Sequence, residues 1–88
     1  MTLTAIASLI PAEYRREILE TNLIQSASAH SGDSGMHYLL TIWKNYVEPT
    51  ADLDMACGLC LERILNNYRQ LLPVLLELEK AARKLDQI

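Results

Sequence analysis

Apolar residues toward the carboxyl end recur with helical timing. Cys57, Leu61, Ile64, Tyr68, Leu71, Leu75, Leu78, Ala82 and Leu85 are separated alternately by four and three positions, which sets them on one seam of an α-helix. Leu65, Leu72 and Val74 flank the seam and widen it, a pattern that suits a bundle core with more than one partner helix rather than a narrow two-stranded coil. Pro73 falls mid-segment on the side opposite the seam. Proline lacks a backbone donor and crowds the carbonyl four residues earlier, here that of Arg69, so the helix is expected to be kinked or split, into 52–72 and 73–87.

The earlier patterns are less regular. Pro11 suits the first position of a helix over 11–27, with Glu13 and Glu17 near its positive end, Arg16 paired to Glu20, and Tyr14, Ile18, Leu19 and Leu23 as its apolar stripe. Residues before Pro11 either fold over that stripe through Leu3, Ile6, Leu9 and Ile10 or form a short helix of their own. From Ser26 to Gly35 the chain turns small and polar and reads as a connection. A second helix is expected over 35–47, capped by Asp33 or Ser34. It carries Met36, Leu39, Leu40, Trp43 and Val47 on one apolar face and Tyr38, Ile42 and Tyr46 on another, so it belongs between neighbours. Pro49 ends it, and Thr50 or Asp52 is the expected cap of the last helix. The fold class is all-α: one domain, a small bundle of three main helices.

Size adds a constraint. Straight, the last stretch would run roughly 54 Å, whereas a compact chain of 88 residues is only about 31 Å across. Either Pro73 divides the rod, or its end projects and a second molecule covers it. The expected contact surface is therefore Leu71, Leu75, Leu78, Ala82 and Leu85, with Tyr38, Ile42 and Tyr46 as a second patch.

Composition narrows the function. A net charge of -3 disfavours a general nucleic-acid binder, because phosphate neutralisation needs a basic surface. The basic clusters, Arg15 with Arg16 and Lys80 with Arg83 and Lys84, keep nucleic-acid binding only as an alternative. The apolar run Leu3–Ile10 has no positive residue ahead of it, and no run approaches membrane-spanning length. The expectation is a soluble, cytoplasmic protein with reduced cysteines.

Three stretches carry candidate chemistry. Gly32-Asp33-Ser34-Gly35, with His30 nearby, repeats the nucleophile motif of trypsin-like serine proteases. That family needs two β-barrels and a distant histidine, so the stretch is read as a capped loop. Cys57-Gly58-Leu59-Cys60 resembles the redox centre of thioredoxin-type proteins over four residues. No strand pattern precedes it, and Leu59 stands where that family commonly has proline. Zinc is another use of the pair, with His30 and His37 as the remaining ligands. The reading preferred to both is two small buried hydrophobes.

Ile42-Trp43-Lys44-Asn45-Tyr46, Cys57-Gly58-Leu59-Cys60 and Leu61-Glu62-Arg63-Ile64-Leu65 are similar to small helical proteins encoded by bacteriophages of gut-type bacteria. The resemblance implies an accessory or virion protein and no catalytic residue. The reading is a non-enzymatic protein that works by helix-mediated association, as an oligomer or on a protein partner, with no cofactor. A small zinc or thiol-redox protein is the alternative.

Overall fold

The seam folds as a single helix, and the other helices cover it. The computed structural model describes residues 2–86, with side chains through residue 81. The described residues form five α-helices and no strand: α1 (Leu3–Leu9), α2 (Ala12–Glu20), α3 (Leu23–Ser26), α4 (Ser34–Ile42) and α5 (Gly58–Asp86). The fourth runs on into a π-helical turn at Trp43–Val47. Helices α1, α2, α3 and α4 all pack on α5. The all-α class is as expected, but five helices replace the three expected main ones.

Leu61, Ile64, Leu65, Tyr68, Leu71 and Leu75 of α5 are all buried. Each such side chain contributes about 1.5–3 kcal/mol when removed from water. Two of the five α5 residues expected to wait for a partner, Leu71 and Leu75, are thus covered by the chain's own helices. Leu78 is half-buried against the same core, and Ala82 and Leu85 lie outside the described side chains. The described seam is a core and not a docking stripe.

Helix α5 runs through Pro73 without dividing. The proline and Arg69, whose carbonyl it leaves without a helical donor, are both exposed, while Leu71 and Leu75 on either side of Pro73 hold the helix to the core. The start also differs from expectation, at Gly58 rather than Asp52. Residues 48–57 make successive turns: Ala51 N–H donates to the Glu48 carbonyl at 3.1 Å, Leu53 N–H to Ala51 at 3.1 Å, and Cys57 N–H to Asp54 at 3.0 Å. Leu53 is buried between them. Neither Thr50 nor Asp52 caps a helix. Over 29 residues α5 is about 43 Å long, close to the 45 Å long axis of the molecule. The size conflict is met by a shorter rod and an elongated body.

The expected helix over 11–27 is two. Asn22 takes the left-handed conformation with φ 53°, which Asn tolerates better than most residues, and the chain turns there into α3. Pro11 sits one position outside α2, as its N-cap residue. The run before it is a helix of its own, capped by Thr2, whose hydroxyl accepts from Ala5 N–H at 3.1 Å. The arginines of α2 reach outward from it. Arg15 donates to the carbonyls of Ala7 and Ile10 at 3.3 and 3.0 Å, at the negative end of α1. Arg16 bonds Glu79 at 3.2 Å rather than Glu20.

Tyr68 lies at the centre. It is fully buried, its hydroxyl donates to the Leu39 carbonyl at 2.7 Å, and its ring meets Trp43 edge-on at 5.3 Å. Trp43 Nε1 donates to Glu48 Oε1 at 2.6 Å, and Arg63 of α5 reaches the same oxygen at 3.1 Å. The Trp43 bond and, after it, Arg63 hold the Glu48 carboxyl below the usual carboxylate range against its partial burial.

Two expectations follow. Pro73→Ala restores the missing hydrogen bond at an exposed site, and after allowance for a more flexible unfolded chain it should stabilise by about 2 kcal/mol. Thermal unfolding followed by circular dichroism should show a rise on the order of 10 °C. No rise would mean that α5 is not helical through this position. The second concerns Tyr68, whose hydroxyl is pushed above its ordinary value of 10.0, foremost by burial and then by Tyr38. The folded state holds this proton more tightly than the unfolded chain, so its stabilisation is complete below pH ~10 and falls above it by up to about 1.4 kcal/mol per pH unit. Tyr68→Phe should cost about 1 kcal/mol near pH 8, and urea melts at pH 11 should show that gap narrowed. A gap independent of pH would place the hydroxyl in water.

Candidate binding cleft and the cysteine pair

The tyrosines that read as a second contact patch converge with one that did not. Tyr14 of α2 lies 6.4 Å from Tyr38 of α4, ring centre to ring centre and edge-on, and 5.6 Å from Tyr46 of the π turn. Tyr14 and Tyr38 are half-buried and Tyr46 is 37% exposed. Ile42, the remaining member of the expected patch, is buried beneath them. On sequence alone Tyr14 belonged to the apolar stripe of its helix. Its meeting with Tyr38 depends on how α2 crosses α4, and no local pattern encodes that.

The three rings border a hollow of about 370 Å³ that also takes in His37, Thr41 and Asn45. Ser34 and Tyr38 are shared with a second hollow of about 320 Å³ bounded by Glu17, Leu23 and Asp33. His37, Thr41 and Asn45 are shared with a third, bounded by Asp52 and Asp54. Sharing these residues, the three hollows adjoin one another along α4 as a segmented cleft. Its charged lining is mainly acidic, Glu17, Asp33, Asp52 and Asp54 against Lys44, and Glu13 stands nearby on α2. Glu13 and Glu17 are exposed, and among the described residues neither is ion-paired. Their field, after desolvation, raises the Tyr38 hydroxyl. The Tyr46 hydroxyl is raised as well, foremost by hydrogen bonding with the Tyr14 side chain and then by partial desolvation.

The loop motif around Asp33 is structural. Asp33 Oδ2 accepts from Met36 N–H and Ser28 N–H, both at 2.9 Å, capping α4 and closing the loop before it. A side chain at Gly35 would meet Leu23 Cδ1 at 3.0 Å and Ala27 Cβ at 3.4 Å, so a larger residue there would press on Leu23 and Ala27. Asp33→Ala should cost about 1–2 kcal/mol in urea unfolding. A cost near zero would return the motif to other roles.

Cys57 and Cys60 are joined in a disulfide, with Cα atoms 5.2 Å apart, and both are half-buried. The expectations of reduced thiols and of fully buried small hydrophobes are corrected together: the turn ahead of α5 brings the two sulfurs within bonding reach. His30 and His37 do not join them. His30 is exposed, and its Nδ1 accepts from Gly32 N–H at 3.1 Å; His37 lies exposed beside the tyrosine cleft. Among the described residues no group of three or more His, Cys, Asp or Glu side chains is placed to hold a metal ion. No described helix is long and apolar enough to cross a membrane.

Comparison with family models, with curated proteins and with solved structures found no match for the chain.

Proposed function

We propose that the chain is a binding module that docks an extended, arginine-bearing segment of a partner protein in the cleft across α4. The observation that carries this reading is the meeting of Tyr14, Tyr38 and Tyr46 beside Glu13 and Glu17, on a side of α2 from which Arg15 and Arg16 are drawn away by other partners. A guanidinium stacks on tyrosine faces and pairs with carboxylates in the same approach, which the compact, strongly hydrated ammonium of lysine does less well. An acidic cleft repels phosphate, so nucleic acid is not the partner in this reading. Association by the α5 seam gives way to association by the α4 side, because the described seam residues through Leu75 are already covered. An accessory protein of a phage, the setting implied by the resemblance of the Trp43 and Cys57 stretches, would suit such a role.

The test is titration with an arginine-rich hexapeptide and its glutamine counterpart, read by nuclear magnetic resonance shifts of the tyrosines. The arginine peptide should bind more tightly, and added salt should weaken it. Tyr46→Ala should reduce its affinity roughly 5- to 30-fold, with Glu17→Gln giving a smaller loss. Equal binding of the two peptides would overturn the proposal.

A further inference from the structure

The turn that delays the start of α5 also presents its disulfide. Cys60 lies inside the first turn of the helix and packs against the core, whereas Cys57 precedes the helix. Cys57 Sγ accepts a hydrogen bond from Cys60 N–H at 3.2 Å. The two residues between them leave the outer side open. A Cβ placed on Gly58 would meet no atom within 4 Å, and Leu59 is 81% exposed, the most exposed large apolar side chain among those described. A structural staple needs neither open space at the residue that follows its first cysteine nor an apolar residue presented to water between its two cysteines.

We propose that Cys57–Cys60 is an exchange-active disulfide whose substrate is a cysteine thiol flanked by apolar residues in a peptide or protein. In the first step a substrate thiolate attacks Cys57 Sγ from the Gly58 side. A new sulfur–sulfur bond forms, the Cys57–Cys60 bond breaks, and its electron pair leaves on Cys60 Sγ, which takes a proton. In the second step another substrate thiolate attacks the substrate sulfur of the mixed disulfide, and Cys57 Sγ leaves as a thiolate. Two substrate thiols are oxidised to one disulfide while the protein pair is reduced to two thiols, and the reverse sequence reduces a substrate disulfide. Cys60 N–H and the positive end of a long helix stabilise the Cys57 thiolate, which makes Cys57 the reacting residue in both directions. Leu59 supplies the apolar contact that selects the substrate.

The experiment uses the full chain. A leucine-flanked cysteine peptide and glutathione are reacted separately with the oxidised protein, and thiols are trapped by alkylation and located by mass spectrometry. The peptide should reduce the pair faster than glutathione, and Leu59→Ser should remove that preference by slowing the peptide. In Cys60→Ser, incubation with oxidised glutathione should accumulate the adduct at Cys57, and in the reduced wild-type protein Cys57 should alkylate about tenfold faster than Cys60. Far-ultraviolet circular dichroism should show the helices retained on reduction. A pair that stays oxidised in millimolar thiol, equal alkylation of the two cysteines, or loss of helix on reduction would each overturn the proposal and leave a structural crosslink. Peptide and glutathione reacting alike, with Leu59→Ser silent, would overturn the assigned substrate.

Discussion

Burial of one face of α5 around Tyr68 is the constraint from which the rest of the molecule follows. A chain of this size has little core to spare, and the residues from Leu61 to Leu75 hold much of it. A straight helix of about 43 Å cannot be enclosed by one neighbour, so four short helices are laid along it in turn. Tyr68 fixes the middle of that arrangement. Its hydroxyl shares the Leu39 carbonyl with the Trp43 N–H where α4 loosens into the π turn, so a buried polar group is satisfied at the point where the helix ladder changes.

Charged side chains extend the same packing to the ends of the helices. Arg15 closes the carboxyl end of α1, Arg16 reaches Glu79 on α5, and Arg63 with Trp43 holds Glu48. Each contact is worth little alone where one partner stands in water. Together they decide which way the long side chains lean. Because the basic groups of α2 are turned to α1 and α5, the surface left beside Tyr14 is acidic, and the proposed preference for a cationic partner is a by-product of how the bundle is held.

The connection between α4 and α5 has a comparable consequence. Leu53 plugs the core while the residues on either side of it make turns, and α5 accordingly begins at Gly58 rather than at Asp52. A helix begun earlier would have carried both cysteines in its interior, with fewer open approaches to their sulfurs. The proposed thiol chemistry thus depends on one buried leucine in an otherwise polar stretch.

The periodicity of the chain determined the helical class, the buried face of α5 and the outward placement of Pro73, because each of these is a property of one helix and its spacing. A cap of α4 at Asp33 or Ser34 was legible for the same local reason, and the fold chose Asp33. The break at Asn22, the continuation of α5 through Pro73 and its start at Gly58 were settled by tertiary packing, which outweighs a propensity worth a few kcal/mol when apolar residues on both sides of the site are buried. Tyr38, Ile42 and Tyr46 were recognisable as a patch, yet the addition of Tyr14, and the fact that Leu71 and Leu75 already have neighbours, depend on helix crossings between residues far apart in the chain. Sequence spacing records which side of a helix is apolar; only the assembled fold decides what covers it.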